Sequence, residues 1–259
     1  MTDRVRVLIR WMADHPGQVV LFLAAALSSV WVALNVSVLG EIPPGHFSKD
    51  VRREIELDYA VGLLWWLVIA VGLWLLGGGD RNHLLVAWSA KFFIVFVAML
   101  FYEYKYRYNL DAFGYLDAAL TGRYHMYSDV NWFQESWVPT LTKTIETGDV
   151  SDKLVKTAGT ENMVRIVLII SQITGPYYHA LKVVYAFLGF VGACFAYRAV
   201  VVIMGRPFLP AFYGLMLYPS ILFWSSILGK DPVFLLFIGL YAYGGALWLV
   251  RSSLIGRAS

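Results

Sequence analysis

The chain has 259 residues, of which 59% are apolar, 16% aromatic and 15% charged. Soluble domains carry roughly a quarter charged residues, so this composition excludes a water-soluble fold and predicts an integral membrane protein. The apolar content and the single cysteine exclude disorder and a disulfide scaffold. A net charge of +3 is too small to indicate a nucleic-acid partner.

Residues 1–83 predict a basic N-terminal segment followed by two transmembrane helices. Residues 1–14 combine three arginines with apolar residues at helical spacing, which is typical of a short helix on an anionic membrane surface. Residues 18–40 and 60–78 carry no charge. Both are long enough to cross a bilayer, and the first is too long for a cleavable signal peptide. Residues 41–59 between them are densely charged and are expected to form a solvated outer connection.

The rest of the chain adds four predicted spans. They are expected at residues 84–102, 183–203, 207–228 and 232–250. The predicted fold is therefore an all-α polytopic membrane protein with about six transmembrane helices, because helices satisfy their own backbone groups in lipid. Lys and Arg residues near the span ends slightly favour a cytoplasmic N-terminus.

One long loop, residues 103–182, lies between the predicted third and fourth spans. It holds nine of the chain's 18 acidic residues, and its first half is rich in aromatic residues. Such a loop is too aromatic for disorder, so we expect short helices along the membrane surface. Residues 163–173 are apolar but too short to span, and Gly175–Pro176 follows them. They predict an interfacial or re-entrant helix, with a broken seventh span as the alternative.

The stretch NLDAFGYLDAA, residues 109–119, is the strongest candidate for chemistry in this loop. If it is helical, Asp111 and Tyr115 lie one turn apart on the same face, and Asp117 points elsewhere. A carboxylate just beyond a transmembrane span could act as general base on an acceptor hydroxyl when the other substrate is a lipid. The alternative is that Asp111 caps the helix that it begins.

A second stretch, PSILFWSSILGKD at residues 219–231, joins the fifth and sixth predicted spans. Lys230 in this turn could hold a phosphate group as a compact cation. The alternative is a tight hairpin, in which Gly229 ends one helix and Asp231 caps the next. A hairpin leaves Lys230 and the pair Ser225–Ser226 without a role.

Other residues give weaker signals. His125 could join Asp129 as a pair of metal ligands, but two ligands without a third define a metal site poorly. Lys91, inside the third predicted span, marks either a polar path through the membrane or a side chain that snorkels to the cytoplasmic face. Gly189 and Gly192 are expected to let another helix pack closely.

The two stretches resemble parts of known membrane enzymes. The Asp-x-x-x-Tyr-Leu-x-x-Ala pattern at residues 111–119 resembles the first outer loop of polytopic glycosyltransferases of the GT-C fold. PSILFWSSILGKD is similar to a stretch of bacterial membrane proteins linked to surface polysaccharides. The resemblance covers about residues 84–250 and implies that residues 84–259 contain part of a GT-C module. The loop 103–182 and the turn 229–231 would be the two outer loops of that module.

The resemblance implies a membrane glycosyltransferase in the bacterial inner (plasma) membrane. Its donor would be a polyprenyl-phosphate-linked sugar and its acceptor would lie at the outer face, with a divalent metal as a cofactor still open. Asp111 would be the catalytic base, with Asp117 or Asp129 as second choice. The implied substrate-binding residues, three of which are cations for the departing phosphate, are Tyr115, Arg107, Arg123, His125, Lys230 and Asp231.

Departures from the family leave other functions open. GT-C enzymes usually have more helices, so a partner membrane subunit would supply the missing half, or the chain would be a fragment or keep the fold without the activity. The rival hypothesis is a non-catalytic membrane subunit that packs in a larger complex, favoured by the short length and the few ionisable residues within the spans. A transporter is a third option, although the spans show no paired charges. Membrane lipid is a partner under each hypothesis.

Overall fold

A computed structural model describes residues 10–39, 55–98, 112, 115, 116, 119 and 152–258. Throughout these residues the regular structure is helical, and none of it is strand. The predicted all-α class is therefore confirmed for the part of the chain that the structure describes.

Eight helices have defined bounds within the described ranges. In chain order they are α1 (Pro16–Leu39), α2 (Ile55–Leu76), α3 (Arg81–Phe93), α4 (Asp152–Thr174), α5 (Tyr178–Met204), α6 (Leu209–Leu217), α7 (Pro219–Trp224) and α8 (Lys230–Ala258). A 3-10 turn, Gly78–Asp80, precedes α3, and a π-helical turn, Ile94–Ala98, continues it. Residues 10–14 and the positions 112, 115, 116 and 119 are also helical.

Three of these helices are long and apolar enough to cross a membrane. They are Leu57–Leu76, Tyr178–Met204 and Lys230–Arg251, which coincide with the second, fourth and sixth predicted spans. Pro16–Leu27 and Asn162–Thr174 are shorter apolar stretches. The predicted membrane protein is thus supported by the length and composition of its helices.

Two glycines in the left-handed conformation end α4 and α5. Gly175 has a φ of 78° and is followed by Pro176, so the predicted interruption at this point is confirmed. Gly205 has a φ of 68° and terminates α5. Glycine adopts this backbone without the steric cost that a Cβ atom would add. The apolar residues 163–173 belong to α4, which ends at the first of these breaks.

The first three helices alternate in direction. α1 and α3 are parallel, because their first turns contact each other and α1 also reaches the π-helical turn at the far end of α3. α2 runs antiparallel to α3, since Trp66 contacts Phe92 and the earlier Tyr59 contacts the later Phe96. The indole Nε1 of Trp88 donates to the carbonyl of Trp66 at 3.3 Å. This aromatic core holds α2 and α3 together.

α8 runs parallel to α5 and touches it at backbone level. A Cβ atom on Gly239 would collide with the carbonyl oxygen of Gly192, and one on Gly192 would lie 2.5 Å from that of Leu235. Further along, Phe195 contacts Tyr243. The predicted role of Gly192 in close packing is confirmed, and the shared direction means that α5 and α8 begin at the same end of the bundle.

The segment between α5 and α8 differs from the predicted fifth span. Instead of one helix over 207–228, it forms α6 and α7, which break at Pro219, and a turn over residues 225–229. The break follows from proline, which disfavours the helical conformation in the residue before it. Ser225 packs against Gly189, which lies 11 residues after Tyr178. At 1.5 Å per residue, this turn lies roughly 16 Å inward from the start of α5.

Candidate functional site

Most of the predicted site residues lie outside the described residues. They are the acids Asp111, Asp117 and Asp129, and the cations and imidazole Arg107, Arg123 and His125. Their roles stay predictions. The structure does describe the other three, which are Tyr115, Lys230 and Asp231.

Tyr115 is helical and buried, with 8% of its surface exposed. Ala112, Leu116 and Ala119 are buried in the same core. Their spacing is that of one helix face, so the expected short helix packs one side against the bundle at these positions. Tyr185 of α5 belongs to this core as well.

Lys230 and Asp231 are the first two residues of α8. Lys230 is half-buried and Asp231 is exposed. Asp231 lies inside the first turn rather than at the cap, and the helix dipole favours a negative charge there. Because Gly192 in the parallel α5 packs between Leu235 and Gly239 of α8, Lys230 lies roughly 10 Å inward from the start of α5.

The first turns of α2 and α5 carry a hydrogen-bonded pair, the half-buried Asp58 and the buried His179. His179 Nδ1 lies 2.6 Å from Asp58 Oδ2, and the backbone N–H of His179 donates to Oδ1 at 3.0 Å. The His179 and Asp58 side chains are 6% and 17% exposed, respectively. A carboxylate can only accept hydrogen bonds, so Nδ1 carries a proton, and in the neutral ring Nε2 is then the acceptor nitrogen.

Local sequence explains why these two residues meet. His179 is the second residue of α5, so its N–H has no partner inside the helix. Asp58 supplies that partner from α2, and its charge lies at the positive end of the α5 dipole. Gly62, one turn later in α2, permits the approach, because a Cβ there would lie 2.8 Å from His179 Cβ.

Aromatic rings surround the imidazole of His179. The ring centroids of Tyr59, Tyr178 and Phe96 lie 3.7, 5.2 and 6.2 Å away. Nε2 is buried and has no hydrogen-bond partner in the part of the chain that the structure describes. An unpaired buried polar atom costs about 1–3 kcal/mol, so this nitrogen has a free energy to gain from a ligand that donates to it.

Lys182 follows His179 by one turn in α5 and is fully buried. Its ammonium lies 5.1 Å from the centroid of the Tyr178 ring, a cation–π distance. We call Asp58, His179 and Lys182 the helix-start site, because all three lie in the first two turns of α2 or α5. It brings an acid, an imidazole and a cation to one end of the bundle.

A second buried cluster lies deeper and consists of Lys91, Ser225 and Ser226, which we call the Lys91 network. Lys91 is 1% exposed. Its Nζ donates to the Ser225 hydroxyl, and to the Ser225 carbonyl and the Ser226 hydroxyl at 3.3 Å each. The two hydroxyls donate to the carbonyls of Ile221 and Leu222 in α7. All three protons of the ammonium therefore have an acceptor.

The Lys91 network excludes one of the two interpretations of Lys91. Its Nζ turns into the bundle, so the expectation that it snorkels to the cytoplasmic face is wrong. The network also gives Ser225–Ser226 a role that the hairpin left open, because they attach the turn after α7 to α3. Within the described ranges no carboxylate pairs with Lys91, so neutral oxygens alone solvate it.

The described part of the chain does not form a metal site. Among the described residues, no group of three or more His, Cys, Asp or Glu side chains could hold a metal ion. His125 and Asp129, the predicted metal pair, lie outside them. The divalent metal therefore stays a prediction.

Sequence reasoning missed the helix-start site. Asp58 was expected in a solvated connection, and His179 and Lys182 at the end of the long loop. The structure extends both helices outward, so that α2 begins at Ile55 and α5 at Tyr178. A glycine four residues after Asp58 and a Gly-Pro break before His179 were the only local signals, and neither reveals a contact across 121 residues.

Comparison with known proteins adds no assignment. No family model, no curated protein and no solved structure matches this chain.

Proposed function

We propose that this chain is a multi-pass protein of the bacterial inner membrane and a membrane glycosyltransferase of the GT-C type. It would move a sugar from a polyprenyl-phosphate carrier to an acceptor at the outer face. The observation that carries the proposal is the helix-start site, which gathers a half-buried carboxylate, a buried imidazole and a buried ammonium at one end of a bundle of apolar helices. Ionisable groups kept in such a position are costly and are usually functional.

Glycosyl transfer to a hydroxyl needs two kinds of protein group. One accepts the proton of the hydroxyl, and the other stabilises the charge that grows on the departing phosphate. The helix-start site offers an imidazole for the first task and the Lys182 ammonium for the second. The same chemistry would suit a donor whose phosphate lies at the membrane interface and whose polyprenyl chain lies among apolar helices.

The long segment before α5 supplies the other candidates. Tyr115 of this segment is buried in the same core as Tyr185 of α5, which supports a functional connection between the segment and the bundle. Asp111 lies four positions before Tyr115 and stays the family-based candidate for the base, with Asp117 and Asp129 after it.

Three further cations remain candidates for the carrier phosphate. Arg107 and Arg123 belong to the same long segment. Lys230 lies at the start of α8, at the same end of the bundle as the helix-start site but further inward. A phosphate between Lys182 and Lys230 would therefore lie below the ends of the helices rather than in bulk water.

Deletion of the gene in its native host tests the proposed function. We expect one sugar to be lost from the surface polysaccharide and its polyprenyl-phosphate form to accumulate, as measured by monosaccharide analysis and mass spectrometry of lipid extracts. The wild-type gene should restore both. Unchanged polysaccharide and lipid pools in the deletion strain would overturn the proposal.

The rival function is a non-catalytic subunit, and one surface favours it. Phe234, Phe237, Tyr241 and Trp248 of α8 are 58%, 62%, 85% and 70% exposed. A face this aromatic fits another membrane subunit as well as lipid. Stoichiometric co-purification of a larger partner in mild detergent, with full function in each of Asp111→Asn, His179→Gln and Lys230→Ala, would support the subunit over the enzyme.

A further inference from the structure

His179 has the three properties that a proton acceptor needs. Its ring is held among Tyr59, Tyr178 and Phe96, its Nδ1 proton is fixed by Asp58, and its Nε2 is left unpaired among the described residues. A general base works when its basic atom is held within hydrogen-bond reach of the proton that it removes. The orientation of Nε2 is therefore set before any substrate binds.

We infer that His179 accepts the proton of the acceptor hydroxyl and that Asp58 is its positioning residue. This inference rests on the proposed glycosyl transfer and assigns the base to a residue other than Asp111. The acceptor it requires is a hydroxyl whose oxygen reaches about 3 Å from Nε2. Such a hydroxyl would also donate a hydrogen bond to Nε2, which would recover the free energy that the unpaired nitrogen costs.

The step balances with the groups already named. As the hydroxyl oxygen forms its bond to the anomeric carbon, its proton passes to Nε2. The bond from that carbon to the phosphate oxygen breaks, and its electron pair leaves with the polyprenyl phosphate. The imidazolium that results lies against the Asp58 carboxylate, which stabilises it. The proton is then released to water, which restores the neutral ring.

Asp58 also has a structural role, and the test has to separate the two. Its Oδ1 accepts the His179 N–H and so caps α5. In Asp58→Asn the amide oxygen still accepts this N–H, but the amide nitrogen donates to Nδ1. The ring proton then moves to Nε2, which becomes a donor and can no longer accept a proton. Asp58→Asn thus keeps the cap and removes the base.

Two measurements on the full chain test the inference. Membranes from the deletion strain, complemented with each variant, receive the radiolabelled polyprenyl-phosphate sugar that the strain accumulates, and label entering the glycan gives the rate. We expect His179→Gln and Asp58→Asn to lower this rate about 100-fold or more. Asp80→Asn and His83→Gln, a carboxylate and an imidazole near the start of α3, are matched controls and should leave it unchanged.

The second measurement does not depend on activity. Nitrogen-15 NMR of the histidine-labelled protein in detergent should show His179 with the proton on Nδ1 in the wild type and on Nε2 in Asp58→Asn. The His179→Gln spectrum identifies the signal by its loss.

Each outcome has one meaning. No transfer by the wild type overturns the proposed function itself. Transfer by the wild type with equal transfer by a folded Asp58→Asn or His179→Gln overturns the inference and leaves the proposed function standing, with Asp111 as the base. An unchanged ring proton in Asp58→Asn overturns the positioning role of Asp58.

Discussion

The helix-start site and the Lys91 network both involve the helical segment made of α3 and its π-helical continuation, and they bury their polar atoms in opposite ways. Phe96 contacts His179, and Lys91 lies five residues earlier on the same helix, an axial distance of about 7.5 Å. The Lys91 network is closed, because every ammonium proton has an acceptor and both serine hydroxyls donate onward. The helix-start site is open, because His179 Nε2 ends without a partner among the described residues.

The difference separates a structural polar cluster from one suited to a ligand. A closed network gains nothing from a further molecule, so its contribution is to hold α7 against α3. An open site keeps part of its hydrogen-bonding capacity unused at a cost in stability. The Tyr185 hydroxyl, six residues after His179 in α5, is also buried and unpaired within the described ranges. Stability should therefore respond mainly to changes in the Lys91 network, and function to changes in the helix-start site.

The largest loss of stability is expected from Ser225→Ala combined with Ser226→Ala. The change removes two of the three acceptors of Lys91 and leaves a buried charge poorly solvated, at a cost of about 3 kcal/mol. The measurement is the free energy of unfolding in mixed micelles by detergent titration. Ser89→Ala is the matched control, because it removes a buried α3 hydroxyl whose one hydrogen bond among the described residues goes to the Leu85 carbonyl.

Adding Lys91→Met to that double variant should recover much of the lost stability, because the unsolvated charge is removed with it. A triple variant no more stable than the double variant would show that the two serines do not stabilise the protein by solvating Lys91.

Gly189→Ala should follow with a loss of about 2 kcal/mol, because overpacking forces neighbours apart. The new Cβ would lie 2.7 Å from Ser225 Cβ, so Ser225 has to move away from Lys91. Gly244→Ala in α8, where nothing lies within 4 Å, is the control and should be neutral or slightly stabilising. Equal thermal midpoints for the two variants would show that the close contact of Gly189 with Ser225 does not contribute to stability.

Asp58→Asn should cost about 1 kcal/mol, since the cap is kept and one charge-assisted hydrogen bond is weakened. Its thermal midpoint in mild detergent should therefore stay near that of the wild type while transfer fails. A loss as large as that of the double serine variant would make the helix-start site a structural cluster and end the contrast between the two.

The smallest effect is expected from Tyr213→Phe. Its hydroxyl lies 2.7 Å from His83 Nδ1 in a half-buried contact, and losing such a bond costs about 0.5 kcal/mol. Measured by the same detergent titration, this variant sets the scale for an ordinary polar contact. A loss above that of Gly189→Ala would mean that the ranking by burial is wrong.

Apolar runs predicted much of the fold, because the length of a run is a local property of the chain. The runs at 60–78, 183–203 and 232–250 coincide with α2, α5 and α8. The prediction of one span over 207–228 was wrong, because it relied on the apolar composition and neglected Pro219, where the helix breaks. Neither buried cluster was predictable, because its partners lie 121 and 134 residues apart in sequence and periodicity carries no information on such contacts.

The π-helical turn Ile94–Ala98 gives α3 two registers. A π-helical turn holds one residue more than an α-helical turn. Removing one residue at its start would restore α-helical spacing and rotate the rest of the turn, including Phe96, by about 100° around the axis. Phe96 would then turn away from His179, while Lys91, before the turn, would stay on its serines. The one extra residue of the π-helical turn thus sets the direction of Phe96 toward His179 without changing the hydrogen bonds of Lys91 earlier in the helix.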